Sequence, residues 1–545
     1  MNRKAITILV LAFASAASAR DNQTATLTPI QPGGAPFTLS IEQVEWTGDP
    51  LPAIHSAATA VFGDKWVFIG GRTAGLHGFA CNAMQNFAPA EFSDEIIVID
   101  LANETLHSRS IGGTASGLDA TEQAAMTATN PLFVQDGERL LVAGGYGYDG
   151  SSAGSHFTTF ATLRIIDVPG IVGWVMGDRT SLSDHVRFVG PPADAPGSLA
   201  TDFFTLTGGD LFRVERPKGV EYWLCLGQSF MQGYSCGPNF PNQTYAQQVR
   251  RFAIDLDAAE PAAHFLGATP TESWARRRDL NMFPARVPGG LGAVVGGGPF
   301  TTSLPAGIWT VPIVVTADGS MSMDDPADPE TFKQGFNIYH AAQLPMWSAS
   351  RGENWFAVLG GIGYQVVTNG HLNTAANLPY SNAASAIRYA PATDEWSEHL
   401  LLASYPEVLS SSSGNPLYFG TETAVFPLVD PDSHGMFDLD ALLATGSPVE
   451  VALVFGGIAC DGQGLLPLPT TYGSNLMFRV TLSAACPGDL NDDGLVDGAD
   501  ITLLLASWGD VPPNAIVPAD LNGDGEVNGA DLSILLANWG PCGKR

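Results

Sequence analysis

WFAVLGG, residues 355–361, is a short apolar run that ends in two glycines, and versions of it recur along the chain. The others are KWVFIGG at 65–71, RLLVAGG at 139–145, YWLCLGQ at 222–228, GAVVGGG at 292–298 and ALVFGGI at 452–458. Each run has the length of a strand buried on both faces, and the glycines permit a tight turn after it. A second strand follows most of them after a variable loop, as in DEIIVIDLAN at 94–103, TLRIIDV at 162–168, VRRFAIDLD at 249–257, SAIRYAPATDEWSEH at 385–399 and NLMFRVTLS at 475–483. Copies spaced roughly 65 to 95 residues apart predict six similar β units.

In the fifth copy Gly360 and Gly361 are followed by Tyr389 and Trp396 around APATDEW, which resembles the Kelch repeat. Other copies lack the Tyr and Trp, and the third keeps only Gly227. The resemblance implies a mainly β fold over residues 30–484, a Kelch-like β-propeller of four-stranded blades. Six blades are preferred, and seven are possible if residues 361–456 hide a degenerate unit. FTLSIEQVEW at 37–46 is expected to supply the outer strand that the last unit lacks. The loops after the glycines then share one face. They carry Arg72, His77, Tyr146, Tyr148, Asp149, Gln228, Tyr234, Tyr364 and Asp461, side chains suited to a polysaccharide or protein ligand.

The tail carries a second repeat. DLNDDGLVDGAD at 489–500 and DLNGDGEVNGAD at 520–531 each place oxygen ligands where a Ca²⁺ loop needs them, at positions 1, 3, 5, 7, 9 and 12, with glycine at 6. In the first these are Asp489, Asn491, Asp493, the Leu495 carbonyl, Asp497 and Asp500, with Gly494 at the turn. In the second they are Asp520, Asn522, Asp524, the Glu526 carbonyl, Asn528 and Asp531, with Gly525. Helical periodicity follows each loop: Ile501, Leu504, Leu505 and Trp508, then Leu532, Leu535, Leu536 and Trp539. Both stripes are expected to bury against each other. Residues 486–542 hold ten carboxylates and no basic residue, a repulsion that two calcium ions would offset. Paired loops that each feed one helix resemble a type I dockerin. That resemblance implies a small α-helical module at 486–542 that docks a secreted protein onto a cohesin-like or cell-surface partner. Its usual recognition pair at loop positions 10 and 11 is replaced by Gly498-Ala499 and Gly529-Ala530, which leaves calcium binding intact and puts the usual cohesin partner in doubt.

Composition sets the context. The chain has 545 residues, with 55 acids against 25 bases and a net charge of −30. Such a surface repels nucleic acid and anionic lipid. Arg3 and Lys4 precede an apolar run at 5–14, and Ala17-Ser18-Ala19 offers a cleavage site, so residues 1–19 read as a signal peptide and the protein as secreted or surface-held. No later segment is long and apolar enough to span a bilayer. Export permits disulfides, and the six cysteines are expected to pair as Cys81–Cys460, Cys225–Cys236 and Cys486–Cys542.

No catalytic constellation stands out. The chain has no His-x-x-x-His pair, no Gly-x-Ser-x-Gly elbow and no phosphate loop. The tyrosines, His77 and Cys81 do not fall in the pattern of the copper radical oxidases. The expectation is a binding or surface-interaction protein without enzymatic activity. The alternative is a carbohydrate-active hydrolase or lyase whose carboxylate pair the sequence does not single out.

Overall fold

A run such as Lys65–Ile69, in which Trp66, Val67, Phe68 and Ile69 are all buried, needs cover on both faces. The computed structural model describes residues 27–78, 83–149, 156–234, 243–299, 301, 307–375, 377–464, 470–491 and 493–542. The expected signal segment 1–19 lies outside them. The protein is mainly β, with 42% strand and 12% helix.

Each glycine-ended run is the second strand of a sheet whose central strands are antiparallel and follow in chain order, with parallel edge strands added in the fifth and the N-terminal strand added in the sixth. The first sheet holds Ala58–Phe62, Lys65–Ile69, Glu95–Asp100 and Thr105–Ser110. The second holds Leu132–Asp136, Arg139–Ala143, Leu163–Asp167 and Val186–Val189, and the third Asp210–Arg216, Gly219–Cys225, Val249–Ile254 and Ala263–Ala268. The fourth is Asn281–Val287, Gly290–Gly296, Ile313–Val315 and Met321–Ser322. The fifth, Ala342–Ser348, Glu353–Ile362, Tyr380–Ala390 and Glu395–Ser404, gains the short strands Gln31–Pro32 and Phe437–Asp438 at its edges. The sixth combines Ala424–Pro427, Val449–Phe455 and Met477–Ala484 with Phe37–Gln43, which pairs from Phe37 opposite Ala484 to Gln43 opposite Phe478.

Apolar side chains fill the space between consecutive sheets. Val67 and Ile69 meet Leu140 and Val142, Leu141 meets Leu224 and Tyr222, and Trp223 meets Val295 and Ile313. Phe283 and Val294 meet Phe356 and Val358, and Trp355 and Leu359 meet Phe478 and Val480. Trp66 and Phe68 of the first sheet pack on Phe426, Leu453 and Phe455 of the sixth.

The glycine pairs have a definite task. Gly144 has φ +62, and a Cβ there would lie 2.0 Å from the Leu206 carbonyl oxygen. The second glycine uses its N–H to reach the next sheet: Gly71 donates to Ala128, Gly145 to Leu206, Gly227 to Arg277, Gly298 to Ile338, and Gly457 back to Ile54. In the third copy, where the sequence has one glycine, Leu226 itself takes the left-handed conformation at φ +60. Its complete burial beside Val249 and Leu280 offsets the roughly 1–2 kcal/mol that conformation costs a side chain.

The cysteines correct the expected pairing. Cys486 and Cys542 are bonded, with Cα atoms 5.6 Å apart. Cys225 and Cys460 are free and buried, so neither Cys225–Cys236 nor Cys81–Cys460 forms. Cys225 ends a strand inside the apolar layer with Phe212 and Trp223, and the Cys460 thiol is turned to the Gly462 carbonyl at 2.9 Å. Cys81 and Cys236 lie outside the described residues.

Candidate functional site

Before the first strand of each sheet the chain places one residue in a common position, polar in five sheets and Gly208 in the third. The amide of Asn130 donates to the Ser56 carbonyl, Gly208 to Asn130, Asp279 to Gly208, His340 to Asp279 and Glu422 to His340, at 2.7–3.1 Å. Ser56 Oγ donates to Glu422 Oε2 at 2.8 Å. Ser56, Asn130, Asp279 and Glu422 all have positive φ, between 45° and 57°, so each turns its chain sharply just before a strand.

Above this group lies a cavity of about 80 Å³, room for several waters or one small polar group of a ligand. Five of the expected loop residues line it: Arg72, His77, Tyr146, Gln228 and Tyr234. One wall is aromatic. The His77 ring lies 4.9 Å from Phe87 and 4.6 Å from Tyr234, and Tyr146 lies 5.2 Å from Phe87. The Tyr146 hydroxyl donates to the Gln232 carbonyl and accepts from the Tyr234 amide, both at 3.1 Å. The charged lining residues Arg72, Arg278, Asp279 and Glu422 are each held in an ion pair. Arg72 meets Glu91 at 2.5 Å, Arg278 meets Asp279 at 3.3 Å and donates to Gln228 at 2.8 Å, and His340 meets Glu422 at 3.2 Å. Asn130 Nδ2 donates to Asp279 at 2.7 Å.

The remaining expected residues lie elsewhere. Tyr148 packs edge-on against Phe157, and Asp149 faces His156 at 3.5 Å. The Tyr364 hydroxyl accepts from the Ile308 amide, and Asp461 accepts from the Tyr472 hydroxyl at 3.2 Å. Conversely, His55, Ser56, Asn130, Arg278, Asp279, His340 and Glu422 went unread in the sequence. Their signal was a polar residue just ahead of the first strand in five of the six repeats, as in HSAATA, TNPLF, RDLNMF and TETAVF.

Burial and pairing split the titrations. Burial, reinforced by Arg72, lowers His55 to about 4, and burial lowers His77 to about 3, so both are neutral. Burial raises Asp279, with Arg278 partly offsetting it. At Glu422 burial is outweighed by His340, and the carboxyl falls. At His340 burial works against the charge, but Glu422, Asp210 and Asp279 overcome it and raise the ring to about 9.

This gives a pH prediction. A histidine raised from 6.5 to about 9 stabilises the fold fully below pH 6.5, and that contribution is lost as pH climbs through 9. Burial raises Asp210 and Glu398 to about 7, so their destabilising effect accumulates below that pH and is complete before His340 releases its proton. The urea midpoint is therefore expected to fall between pH 7 and 9. In His340→Gln that fall should vanish, and an undiminished fall in the variant would assign it to another group.

The tail builds a different site. Asp500 and Asp531 are fully buried and accept backbone N–H groups of their own loops: Asp500 from Leu490 and Asp497 at 2.7–2.8 Å, and Asp531 from Leu521 and Asn528 at 2.8 Å and from Asn522 at 3.2 Å. Asp489 accepts from Gly494 at 2.9 Å and Asp520 from Gly525 at 3.0 Å. Gly494 and Gly525 have φ of +83° and +89°, as the sixth position of such a loop requires. The two halves interlock: Leu495–Val496 pairs with Gly540–Pro541, and Glu526–Val527 with Gly509–Asp510. An all-oxygen donor set around buried carboxylates, with no lysine or arginine in the segment, fits Ca²⁺. Asp489, Asn491, Asp493, Leu495, Asp497 and Asp500 would hold one ion, and Asp520, Asn522, Asp524, Glu526, Asn528 and Asp531 the other. The sulfurs of Cys486 and Cys542 also lie near Asp489, but they are bonded to each other and offer no thiolate.

The helices Gly498–Ala506 and Gly529–Ala537 bury less than expected. Leu504 and Leu535 are in the core, whereas Leu505, Trp508, Leu536 and Trp539 stay about half exposed. Each tryptophan lies beyond the last helical residue, so the helical stripe does not carry it inward.

These features define a duplicated loop-and-helix module with the donor pattern of calcium loops. Residues 487–538 match the family described as Dockerin type I domain. A domain of this kind implies calcium-dependent docking, and type I dockerins bind cohesins. A comparison with curated proteins found no match. Among the described residues no helix is long and apolar enough to cross a membrane.

Proposed function

We propose that the chain is a secreted or surface-held protein that presents a six-bladed Kelch-like β-propeller, residues 30–484, from a calcium-dependent docking module, residues 486–542. The packing of every sheet on the next, and of the sixth on the first, supports the propeller. The hydrogen bond from Gly457 to Ile54 supports it independently. In this reading the cavity beside Tyr146 and Gln228 sits near the axis and is the ligand-binding face. The observation that carries a binding role is that its charged groups are already held in pairs beside aromatic rings, with Arg72 over the Phe87 ring at 4.8 Å. Such a lining suits recognition of a polysaccharide end or a protein side chain.

The module would attach the propeller to a cohesin-like or cell-surface partner, and the half-exposed Leu505, Trp508, Leu536 and Trp539 are the apolar groups available for it. A second reading, a carbohydrate-active enzyme, is favoured by one observation: Asp279 and Glu422 reach the same cavity with titrations pushed apart, as an acid and a base require. Incubation with a polysaccharide panel separates the two. Retention without product supports the binder. Sugar release that Asp279→Asn abolishes supports the enzyme.

A further inference from the structure

The segment that joins the two calcium loops also touches the β body. Its ends belong to the module: Val511 and Val517 pack beside Leu504 and Leu535, and the Val511 amide donates to Gly525 at 2.8 Å. Between them Pro512 and Pro513 restrict the backbone, and the Ala515 amide closes a turn onto Pro512 at 2.9 Å. This turn lies against a hairpin of the fifth repeat, formed by Gln365–Thr368 and His371–Thr374. The Leu372 amide donates to Asn514 at 2.7 Å, the Ile516 amide donates to Gly370 at 2.8 Å, and Ala515 stands opposite His371 in an antiparallel bridge. Ile516 enters an apolar socket with Phe336, Leu400, Val367 and Leu372.

We infer that this hairpin is the body's receptor for the connecting segment of its own docking module, and that the segment is presented to it only while calcium keeps the module folded. The first half stands on the pairing itself; the second rests on the calcium reading of the loops. The physical reason is preorganisation. With both ends fixed in the module core and prolines between, the segment meets the hairpin with little conformational freedom left to lose. Released from the core, it must be ordered anew for two hydrogen bonds and one isoleucine, and the pairing becomes weak. By linkage, seating the segment tightens calcium binding by the same factor that calcium tightens the seat. The tail is then a latched part of the body in calcium and a tethered chain without it.

Hydrogen exchange on the full chain tests this. The Leu372 amide is expected to exchange at least about tenfold faster in chelator than in Ca²⁺, a loss of about 1.4 kcal/mol of protection. Ile516→Asp should produce the same acceleration with Ca²⁺ present, while the helices at 498–506 and 529–537 stay protected. Ile516→Val should leave it unchanged. Unaltered Leu372 exchange in Ile516→Asp would overturn the seat. Unaltered exchange in chelator, with the helices melted, would overturn the calcium control. Helices that survive chelator would overturn that control through the loops, an outcome the Ile516→Asp arm separates because it is read with calcium bound.

Discussion

Chelating calcium from the full chain is expected to strip amide protection from Gly498–Ala506 and Gly529–Ala537 while leaving the six sheets protected. Helices of nine residues fall short of the roughly 12–15 that stand alone in water. Their shared core is small: Val496, Leu504, Ala519, Val527 and Leu535. Against it stand ten carboxylates, two of them fully buried. Calcium binding is thus largely folding energy for this segment. Asp500→Ala should do to the first loop what chelator does to both, since it also leaves the Leu490 and Asp497 amides without their acceptor. The exchange rates in the two helices should rise on the order of a hundredfold. Full protection in chelator would remove the calcium reading altogether.

The second large effect concerns one methyl group. Gly144→Ala is expected to destabilise the β body by about 4 kcal/mol or more. Its φ of +62 costs any side chain something, but the main term is collision: the new Cβ would lie 2.0 Å from the Leu206 oxygen and 2.6 Å from that of Phe204. Both belong to the segment that leads into the third sheet, so the sheets must part to make room. Gly137→Ala is the control. It shares a φ of +58, yet its Cβ would meet nothing within 4 Å, and a loss of only about 1 kcal/mol is expected. Denaturant midpoints measured side by side decide the matter, and equal losses would mean that backbone strain, not the close approach of sheets, explains the glycines.

The strands were legible because the feature that makes them is local. An apolar run with glycine behind it can be read from seven letters, and so can an oxygen ligand at every second position of a calcium loop. The cavity was not legible in the same way. Tyr146 and Gln228 announced themselves by following the glycines, but Asp279, His340 and Glu422 are single residues in different repeats that meet only through sheet order. Leu226 was hidden for the opposite reason: its identity argues against the left-handed conformation that its place in the repeat imposes. Spacing suggested a partner for Cys225, and the expected meeting of the first and last units suggested one for Cys460, but a cysteine at the buried end of a strand packs as a small apolar residue. Helical periodicity placed Leu504 and Leu535 correctly and overreached at Trp508 and Trp539, because the helices stop before them.

The strand Phe37–Gln43 finds its partner, Met477–Ala484, about 440 residues later in the chain, a contact of very high order. At about 5–20 residues per second, a growing polypeptide would hold that strand unpaired for about 20 to 90 seconds. Over much of that interval Trp66 and Phe68 also lack the Phe426 and Phe455 that cover them in the finished molecule. The nascent protein thus carries an open strand edge and a bare aromatic face until its sixth sheet is made. Its exposure to misassembly is set by the time of synthesis rather than by the stability of any single sheet.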